Sequence, residues 1–371
     1  MSTERSRPSV LTIGGALIDT IAVIGNGSIE RMSMTNADRA FLLLEQGSKT
    51  EAEIVSTHPG GGAFNTAVSF ARLGFDTAAL IKISHDERGN AVQKRLSEEG
   101  ISADFVVSTR DAPTGASVLI SAHDRDAAIF TFRGANTLLE ARDLPPQAFE
   151  RDVVYVAGLS DKSADCFPDI ARLAKKAGAF IATNPGIRQL TTRGGAFEES
   201  LPQIDLLSMN VDEAEALVPR LMARTGKLTS DSKNGLDQRL PSLLQRGLTN
   251  GAFTISLPQF VRALLDLGPR CILLTDGKRG AFAATKGQLT YCPSLKLDAV
   301  GTAGAGDAFS STFVARFATG SSAGEALQAA TVNAGSVIRF ADTQTGLLTS
   351  WKLEQTLAQV GGELVLQFSK L

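Results

Sequence analysis

The residues best suited to chemistry lie late in the chain, in the stretch GTAGAGDAFSSTFVARF at positions 301–317. Three small residues, Gly304, Ala305 and Gly306, stand directly before the acid Asp307. Phenylalanines then recur at every fourth position, which places them on one face of a helix that begins near Gly306 or Asp307. The stretch therefore predicts backbone amides at the amino end of a helix, next to a carboxylate.

Such amides bind anions, because they have no partner within the helix and the helix dipole is positive at that end. Phosphoryl oxygens would fit there. Asp307 has two interpretations: it caps the first turn of the helix, or it is a general base that accepts the proton of an alcohol during phosphoryl transfer. The chain has no GxxxxGK[ST] motif, so the second interpretation describes a kinase site without a Walker lysine.

An alternation of apolar runs and helix-length segments must position these residues. From Val153 onward, runs such as VVYVAGL, AFIATNPG and IDLLSMN are typical of strands buried on both faces, and the segments between them predict crossover helices of a parallel sheet. The runs SVLTIGGALID and DTAALIKIS, with a helix over residues 65–73 between them, extend that sheet, and the tail GGELVLQFSKL predicts a last strand. The predicted fold class is α/β, a doubly wound, mostly parallel sheet flanked by helices, in a single domain over residues 1–371.

Three segments interrupt this alternation. Residues 19–59 contain the β-rich runs TIAVIG and EAEIVSTH, and residues 102–133 contain ADFVVST, GASVLISAH and AAIFTFRG, with a hairpin turn expected at residues 124–126. We expect these two segments to form a small β-sheet lid over the core, which the remainder of the chain forms. Residues 224–254 are predicted to be a mobile insertion with a short helix at LPSLLQRGL.

Composition narrows the class of partner. The net charge is −2, with 37 basic and 39 acidic residues, which gives no support for binding nucleic acid or an anionic membrane. With no signal-peptide core and no apolar run long enough for a bilayer, we expect a cytoplasmic protein. Cys166, Cys271 and Cys292 are far apart, which predicts buried thiols rather than a metal site. The partner that remains is a small-molecule substrate.

Several motifs together resemble the ribokinase-like, or PfkB, family of carbohydrate and nucleoside kinases, over nearly the whole chain. GAGD at residues 304–307 is similar to the second signature of that family, which implies an anion hole at the three small residues and a catalytic base at Asp307. PGGGAFNTAVSFARLG at residues 59–74 is similar to its amino-terminal signature. The resemblance implies a small β-sheet lid as well. It also implies ATP and Mg²⁺ as cofactors.

The same resemblance implies where the substrate binds. Gly60, Gly61 and Asn65 match substrate-contacting positions of the amino-terminal signature. GGALID places Asp19 at the end of the first strand, where family members use an acid to bind substrate hydroxyls. A sugar or a nucleoside would satisfy these residues, since both carry neighbouring hydroxyls.

Four further motifs are similar to those of the family and occur in its order: RGAN, TNPGIR, NVDE and LLTDGKRGAF. RGAN follows the predicted lid hairpin. The resemblance implies that the other three supply the nucleotide-binding residues Asn184, Asn210, Thr275, Gly277 and Gly280. Glu213 in NVDE is implied to hold Mg²⁺ through water. Arg188 in TNPGIR is a further candidate near the phosphates.

Two positions depart from the family pattern. Gly301 stands where relatives carry an Asp that helps form a monovalent-cation site, which argues against activation by K⁺. Gly62 stands where ribokinases often carry Lys, which argues against ribose itself as the substrate.

The favoured function is therefore ATP-dependent phosphorylation of a sugar hydroxyl. One alternative is a nucleoside kinase, for which Phe64, Phe130 and Phe132 are possible stacking residues, although the two lid phenylalanines fit better as strand packing. A second is a catalytically silent relative that binds a sugar. A third is a nicotinamide-dependent oxidoreductase, but the turn after the first strand lacks GxGxxG. The edge of the lid sheet would also allow a homodimer.

Overall fold

The computed structural model describes residues 7–24, 47, 49–122, 128–225 and 240–371. In these ranges the strands are β1 (Ser9–Gly14), β2 (Leu17–Ile24), β3 (Ala52–Gly60), β4 (Asp76–Ser84), β5 (Val107–Thr109), β6 (Gly115–Ala122), β7 (Ala128–Phe132), β8 (Val153–Val156), β9 (Phe180–Thr183), β10 (Leu206–Asn210), β11 (Leu248–Asn250), β12 (Phe253–Ile255), β13 (Cys271–Thr275), β14 (Ala281–Thr285), β15 (Gln288–Cys292) and β16 (Gln367–Lys370). The helices are α1 (Gly62–Arg72), α2 (Glu87–Glu98), α3 (Lys162–Asp165), α4 (Phe167–Ala177), α5 (Ile187–Thr192), α6 (Gly194–Ser200), α7 (Val211–Thr225), α8 (Ser242–Arg246), α9 (Leu257–Leu265), α10 (Ala305–Ala318), α11 (Ala323–Val337) and α12 (Ser350–Val360).

A large central sheet runs through this part of the chain, in the strand order β16-β15-β14-β13-β10-β9-β8-β1-β4-β5. The strands from β13 to β5 are parallel to their neighbours, whereas β14, β15 and β16 pair antiparallel. Alternate side chains of β1 enter different apolar cores, Leu11 and Ile13 in one and Val10 in the other, because successive residues of a strand point to opposite faces. Helices cover both faces, so the predicted doubly wound, mostly parallel sheet is confirmed.

A small second sheet has the order β3-β2-β6-β7. The β2–β3 and β6–β7 pairs are antiparallel and the β2–β6 pair is parallel. The predicted small sheet built from two separate segments is confirmed. One strand assigned to it was wrong: β5, in the run ADFVVST, pairs with β4 at the edge of the central sheet. It follows β4 and α2 directly, and a strand–helix–strand unit of this kind places its second strand parallel to the first.

The run SVLTIGGALID is two strands instead of the single strand that we predicted. Gly14 has φ +144°, a backbone conformation that glycine adopts readily, and β1 ends there. The backbone of Ala16 then bonds to the side chain of Asn136, with N···Oδ1 and O···Nδ2 distances of 3.0 and 2.9 Å. Asp19 therefore lies on β2 of the small sheet, and its predicted place at the end of the first core strand is wrong.

Some predictions concern segments outside the described residues, namely the hairpin turn at 124–126 and the first part of the 224–254 insertion. The described part of that insertion contains α8, as predicted, and the antiparallel pair β11–β12. The predicted last strand is β16, and the three cysteines are buried as predicted. Over the described ranges, the helices are too short or too polar to cross a membrane.

Candidate active site

The helix α10 begins at Ala305, at the start of the GAGD motif and slightly earlier than predicted. Gly304 is its N-cap residue and has φ +78°, in the left-handed region. A Cβ atom at this position would lie 2.7 Å from the Cβ atom of Thr343. Both the backbone conformation and the close approach of Thr343 therefore require glycine at position 304.

Open space adjoins the first turn of α10. A Cβ atom added to Gly306 would meet nothing within 4 Å. The amide of Ala305 donates to the carbonyl of Thr302 over 3.3 Å, while the amides of Gly304 and Gly306 have no backbone acceptor outside the helix among the described residues. This helix end therefore has room for an anion. The Ala305 amide makes only a long hydrogen bond, and the amides of Gly304 and Gly306 are available to an anion.

Asp307 faces the amino end of α1. Its Oδ2 atom accepts a hydrogen bond of 2.8 Å from Nδ2 of Asn65, and its Oδ1 atom lies 3.6 Å from where a Cβ atom of Gly62 would be. Burial raises the pKa of Asp307 to about 6; the hydrogen bond from Asn65 opposes this rise and the charge of Asp19 adds to it. The carboxylate is therefore a stronger base than an exposed aspartate, yet it is largely ionised at neutral pH.

The predicted substrate residues meet around the start of α1. Asp19 is 8% exposed and accepts a hydrogen bond from the hydroxyl of Ser117 on β6. Burial raises the pKa of Asp19 above its ordinary value, against the effects of Ser117 and His58. A side chain at Gly60 would collide with the Asp19 carboxylate. The small sheet thus places the Asp19 carboxylate in the site, next to the backbone of Gly60.

Two further positions complete this part of the site. Gly61 caps α1 with φ +101°, and a Cβ atom there would lie 2.6 Å from the carbonyl oxygen of Gly15. Asn65 is 3% exposed, and its Oδ1 atom accepts hydrogen bonds from Thr343 Oγ1 at 2.9 Å and Gln344 Nε2 at 3.3 Å. The structure therefore brings all four predicted substrate residues and Asp307 together.

The NVDE motif forms a reciprocal cap at the start of α7. Asn210 Oδ1 accepts from the amide of Glu213 at 2.8 Å, and Glu213 Oε2 accepts from the amide of Asn210 at 2.9 Å. Asn184, which follows β9, donates from Nδ2 to Glu213 Oε2 at 3.2 Å and to the Ser208 carbonyl at 3.0 Å. Three predicted residues from two strand ends thus form one hydrogen-bonded group.

Burial raises the pKa of Glu213 to about 7, although the hydrogen bonds from Asn210 and Asn184 oppose the rise. The charge of Asp307 adds to the shift, so the NVDE group and the carboxylate of α10 share one electrostatic environment.

The remaining nucleotide candidates lie at the neighbouring strand end. Thr275, the last residue of β13, is the register partner of Asn210, the last residue of β10. Gly277 and Gly280 have φ +54° and +96° and form the turn that leads into β14. A Cβ atom at Gly277 would meet nothing within 4 Å, so the backbone of this turn is open to a ligand. Arg188 is an exposed residue of α5.

Phe130 and Phe132, which we expected to pack within the lid sheet, are 59% and 52% exposed, so that prediction was wrong. Thr131 between them pairs with Ser117, which in turn pairs with Asp19, whereas Phe130 pairs with Val118. Because side chains alternate along a strand, the two phenylalanines lie on the face of the sheet opposite to Asp19. The third stacking candidate, Phe64, is fully buried.

Three residues that contact the site were missed: Ser117, Thr343 and Gln344. Ser117 lies on a strand that was predicted, but the sequence does not show which strand faces Asp19. Thr343 and Gln344 lie in the polar stretch ADTQTG, which is unusual only because it interrupts an apolar helical region. Their contact with Asn65 spans nearly 280 residues, and no local pattern indicates such a pairing.

Comparison with known proteins identifies the family. A family model described as pfkB family carbohydrate kinase matches residues 20–259 and 256–350. A ribokinase of Staphylococcus aureus is 24% identical over 295 residues, 77% of this chain and 84% of the relative. An aminoimidazole riboside kinase of Salmonella typhimurium is 26% identical over 257 residues, 68% of this chain and 71% of the relative.

A solved structure shares the fold. It is that of a putative ribokinase II from E. coli in complex with ATP and Mg²⁺, which aligns with a TM-score of 0.71 at 15% identity and covers 95% of this chain and 99% of its own. The match of the family model over most of the sequence confirms the family resemblance that the motifs indicated. The chain belongs to the pfkB family of carbohydrate kinases, phosphotransferases with an alcohol group as acceptor.

Proposed function

We propose that this chain phosphorylates a hydroxyl group of a small sugar with ATP, with Asp307 as the general base and the amides of Gly304, Ala305 and Gly306 as the anion hole. The observation that carries the proposal is the position of the Asp307 carboxylate, at the open amino end of α10 and 2.8 Å from the buried amide of Asn65. An acid that only capped a helix would not need a partner from the amino-terminal signature.

The geometry supports a direct transfer. A sugar hydroxyl held by Asp19 and Asn65 gives its proton to Asp307 as its oxygen bonds to the terminal phosphorus of ATP, and the bond from that phosphorus to the bridging oxygen of ADP breaks. The amides at the start of α10 stabilise the negative charge on the transferred oxygens. The raised pKa of Asp307, about 6, lets the carboxylate accept a proton at neutral pH.

The residues around Glu213 fit Mg²⁺ held through water. The described residues contain no cluster of three or more His, Cys, Asp or Glu side chains that would bind a metal directly. Within the described ranges, the carboxylate of Glu213 accepts its protein hydrogen bonds at Oε2, so Oε1 can bind water. Mg²⁺ prefers oxygen ligands, keeps several waters and neutralises phosphate charge when it is bound. ATP is proposed to lie across Asn184, Asn210 and the turn at Gly277 and Gly280.

We propose that the small sheet acts as a lid. It supplies Asp19 and Ser117 to the substrate side, so its closure over the sugar would both complete the site and exclude water. Water is the competing acceptor, and its entry would lead to hydrolysis of ATP.

A nucleoside remains the alternative substrate. The similarity to an aminoimidazole riboside kinase supports it. The positions of the three phenylalanines do not, because Phe64 is buried in the core and Phe130 and Phe132 lie on the face opposite to Asp19. A silent sugar-binding relative is less favoured, since Asp307, the open helix end and the NVDE group are all present. The relatives are kinases, which gives no support to an oxidoreductase.

A substrate panel tests the proposal. The protein is incubated with ATP, Mg²⁺ and one sugar or nucleoside at a time, and the product is detected by a mass increase of one phosphoryl group. We expect the increase with at least one free sugar. An increase with nucleosides alone would favour the alternative, and binding without any transfer would favour a silent relative. Adding K⁺ tests the expectation from Gly301 that K⁺ does not activate the enzyme.

The outer face of the small sheet supports a homodimer through the lid. Val55, Val118, Phe130 and Phe132 are exposed there, and β3 and β7 are edge strands of the sheet. A second copy of this face would cover the apolar side chains. Sedimentation analysis is expected to show a dimer that Phe130→Ser weakens, whereas a monomeric wild type would contradict the interface.

A further inference from the structure

Two polar residues of the loop between α11 and α12 reach across the molecule to the amino end of α1. Thr343 and Gln344 are 6% and 5% exposed. Thr343 Oγ1 donates to Asn65 Oδ1 at 2.9 Å, and Gln344 Nε2 donates to Asn65 Oδ1 at 3.3 Å and to the Pro59 carbonyl at 2.8 Å. Both donors of the loop therefore converge on one amide oxygen of the site.

The direction of these hydrogen bonds is set from outside the site. Arg95 on α2 donates from Nε to Gln344 Oε1 at 3.3 Å. A guanidinium can only donate, so the oxygen of Gln344 faces Arg95 and its NH₂ group faces inward. The oxygen of Asn65 must then face Gln344, which leaves the NH₂ group of Asn65 to face Asp307. A chain of donors thus runs from Arg95 through two amides to the carboxylate.

The loop is also anchored through its backbone. Arg72 on α1 donates from Nη1 to the carbonyls of Gln344 at 2.7 Å and Leu347 at 3.0 Å. Glu99 pairs with Arg72 and Arg95 at 2.7 Å each, so one acid holds both arginines. Shared ion pairs of this kind fix the loop against α1 and α2, and they keep the side chains of Thr343 and Gln344 in reach of Asn65.

We propose that Thr343 and Gln344 are positioning residues for Asp307, because they hold the Asn65 amide in the orientation that donates to its carboxylate. Among the described residues, Asn65 supplies the hydrogen bond to that carboxylate. The kinetic consequence of this inference rests on the proposed role of Asp307 as the base, but the orientation itself does not.

The charges around Asp307 determine the sign of the effect. The charge of Asp19 on β2 acts on Asp307, and the charge of Asp307 acts in turn on Glu213 of α7 and on Tyr155 of β8, whose hydroxyl donates to Ser310 Oγ at 2.8 Å. Burial and the charge of Asp19 raise the pKa of Asp307, and the bond from Asn65 lowers it. If Asn65 loses its fixed orientation, its hydrogen bond to Asp307 weakens and no longer lowers the pKa as much, so the pKa of Asp307 rises further.

The test replaces the two donors and measures the titration of Asp307 directly. Thr343→Val and Gln344→Met are made singly and together, and aspartate labelled at its carboxyl carbon is titrated by NMR in the ligand-free protein, with Asp307→Asn used to assign the signal. We expect the midpoint of Asp307 to rise by about 0.5–1.5 pH units in the double variant, the size of one weakened hydrogen bond to a charged group.

Matched controls separate positioning from general damage. Thr331→Val and Gln328→Met remove comparable bonds to the carbonyls of Leu327 and Leu364, at 2.8 and 2.9 Å, and are expected to leave the midpoint unchanged. Thr343→Ser keeps the hydroxyl and should restore the wild-type midpoint.

Two outcomes separate this inference from the proposed function. A wild-type midpoint of Asp307 in the folded Thr343→Val and Gln344→Met variants would overturn the positioning role, whatever the enzyme does. A raised midpoint, with an acid limb of turnover that does not move with it, would support positioning and contradict Asp307 as the base. We expect both to move upward together.

Discussion

Two neighbouring glycines of the GAGD motif are expected to respond to alanine in opposite directions. Gly304 has φ +78°, and a left-handed backbone costs an ordinary residue about 1–2 kcal/mol. A Cβ atom there would lie 2.7 Å from Thr343 Cβ, and such overpacking costs about 1–3 kcal/mol. Gly304→Ala should therefore lower the free energy of unfolding by about 2–5 kcal/mol.

Gly306 is the matched control, because it lies within α10 and an added Cβ atom meets nothing within 4 Å. Alanine is favoured over glycine in a helix, so Gly306→Ala should raise the free energy of unfolding by up to about 1 kcal/mol. Urea unfolding followed by circular dichroism measures both variants. Equal stability of Gly304→Ala and Gly306→Ala would refute the conformation that we describe at the start of α10.

Two further predictions concern the raised pKa values and the metal. Burial raises the pKa of Asp307 to about 6 and that of Glu213 to about 7, from ordinary values of 3.8 and 4.5. The folded state therefore favours the protonated forms of both acids. This contribution to stability is lost as the pH rises through 6 to 7. The melting temperature of the wild type should therefore fall from pH 5 to pH 8 by more than that of Glu213→Gln, and an equal fall in thermal unfolding experiments would contradict this. Glu213→Gln should also raise the Mg²⁺ concentration for half-maximal turnover by roughly 10–100-fold. Asp212→Asn, a variant of the exposed neighbouring residue, should match the wild type. A metal titration in which both variants match the wild type would exclude Glu213 from the metal site.

The parts of the fold with strong local signals were predictable from the sequence. Apolar runs alternating with helical segments gave the parallel sheet, and small residues before a periodic helix placed the start of α10 to within a residue or two. The split of SVLTIGGALID was not predictable, because it depends on Gly14 and on a side chain from residue 136. The sheet that receives β5 depends likewise on pairing between distant segments.

The site was predictable only where its residues sit in motifs. Asn65 contacts Asp307 near Asp19, Asn184 contacts Glu213 in a second group, and the charge of Asp307 acts on Glu213. The roles of these motif residues stay proposals. Thr343 and Gln344 belong to no motif, and the packing of distant segments brings them into contact with Asn65. The exposure of Phe130 and Phe132 was missed for a related reason, since the sequence of an apolar strand does not show whether its side chains are buried in a core or exposed.

The most direct measurement compares the wild type with Asp307→Asn in a single turnover of enzyme-bound ATP, with a sugar identified by the panel and Asp298→Asn as an exposed control. Asparagine keeps the size of the side chain and removes the base. We expect the rate of transfer to fall roughly 10²–10⁴-fold in Asp307→Asn and to stay at the wild-type value in Asp298→Asn. Transfer to the sugar at the full rate in Asp307→Asn would show that Asp307 is not the general base.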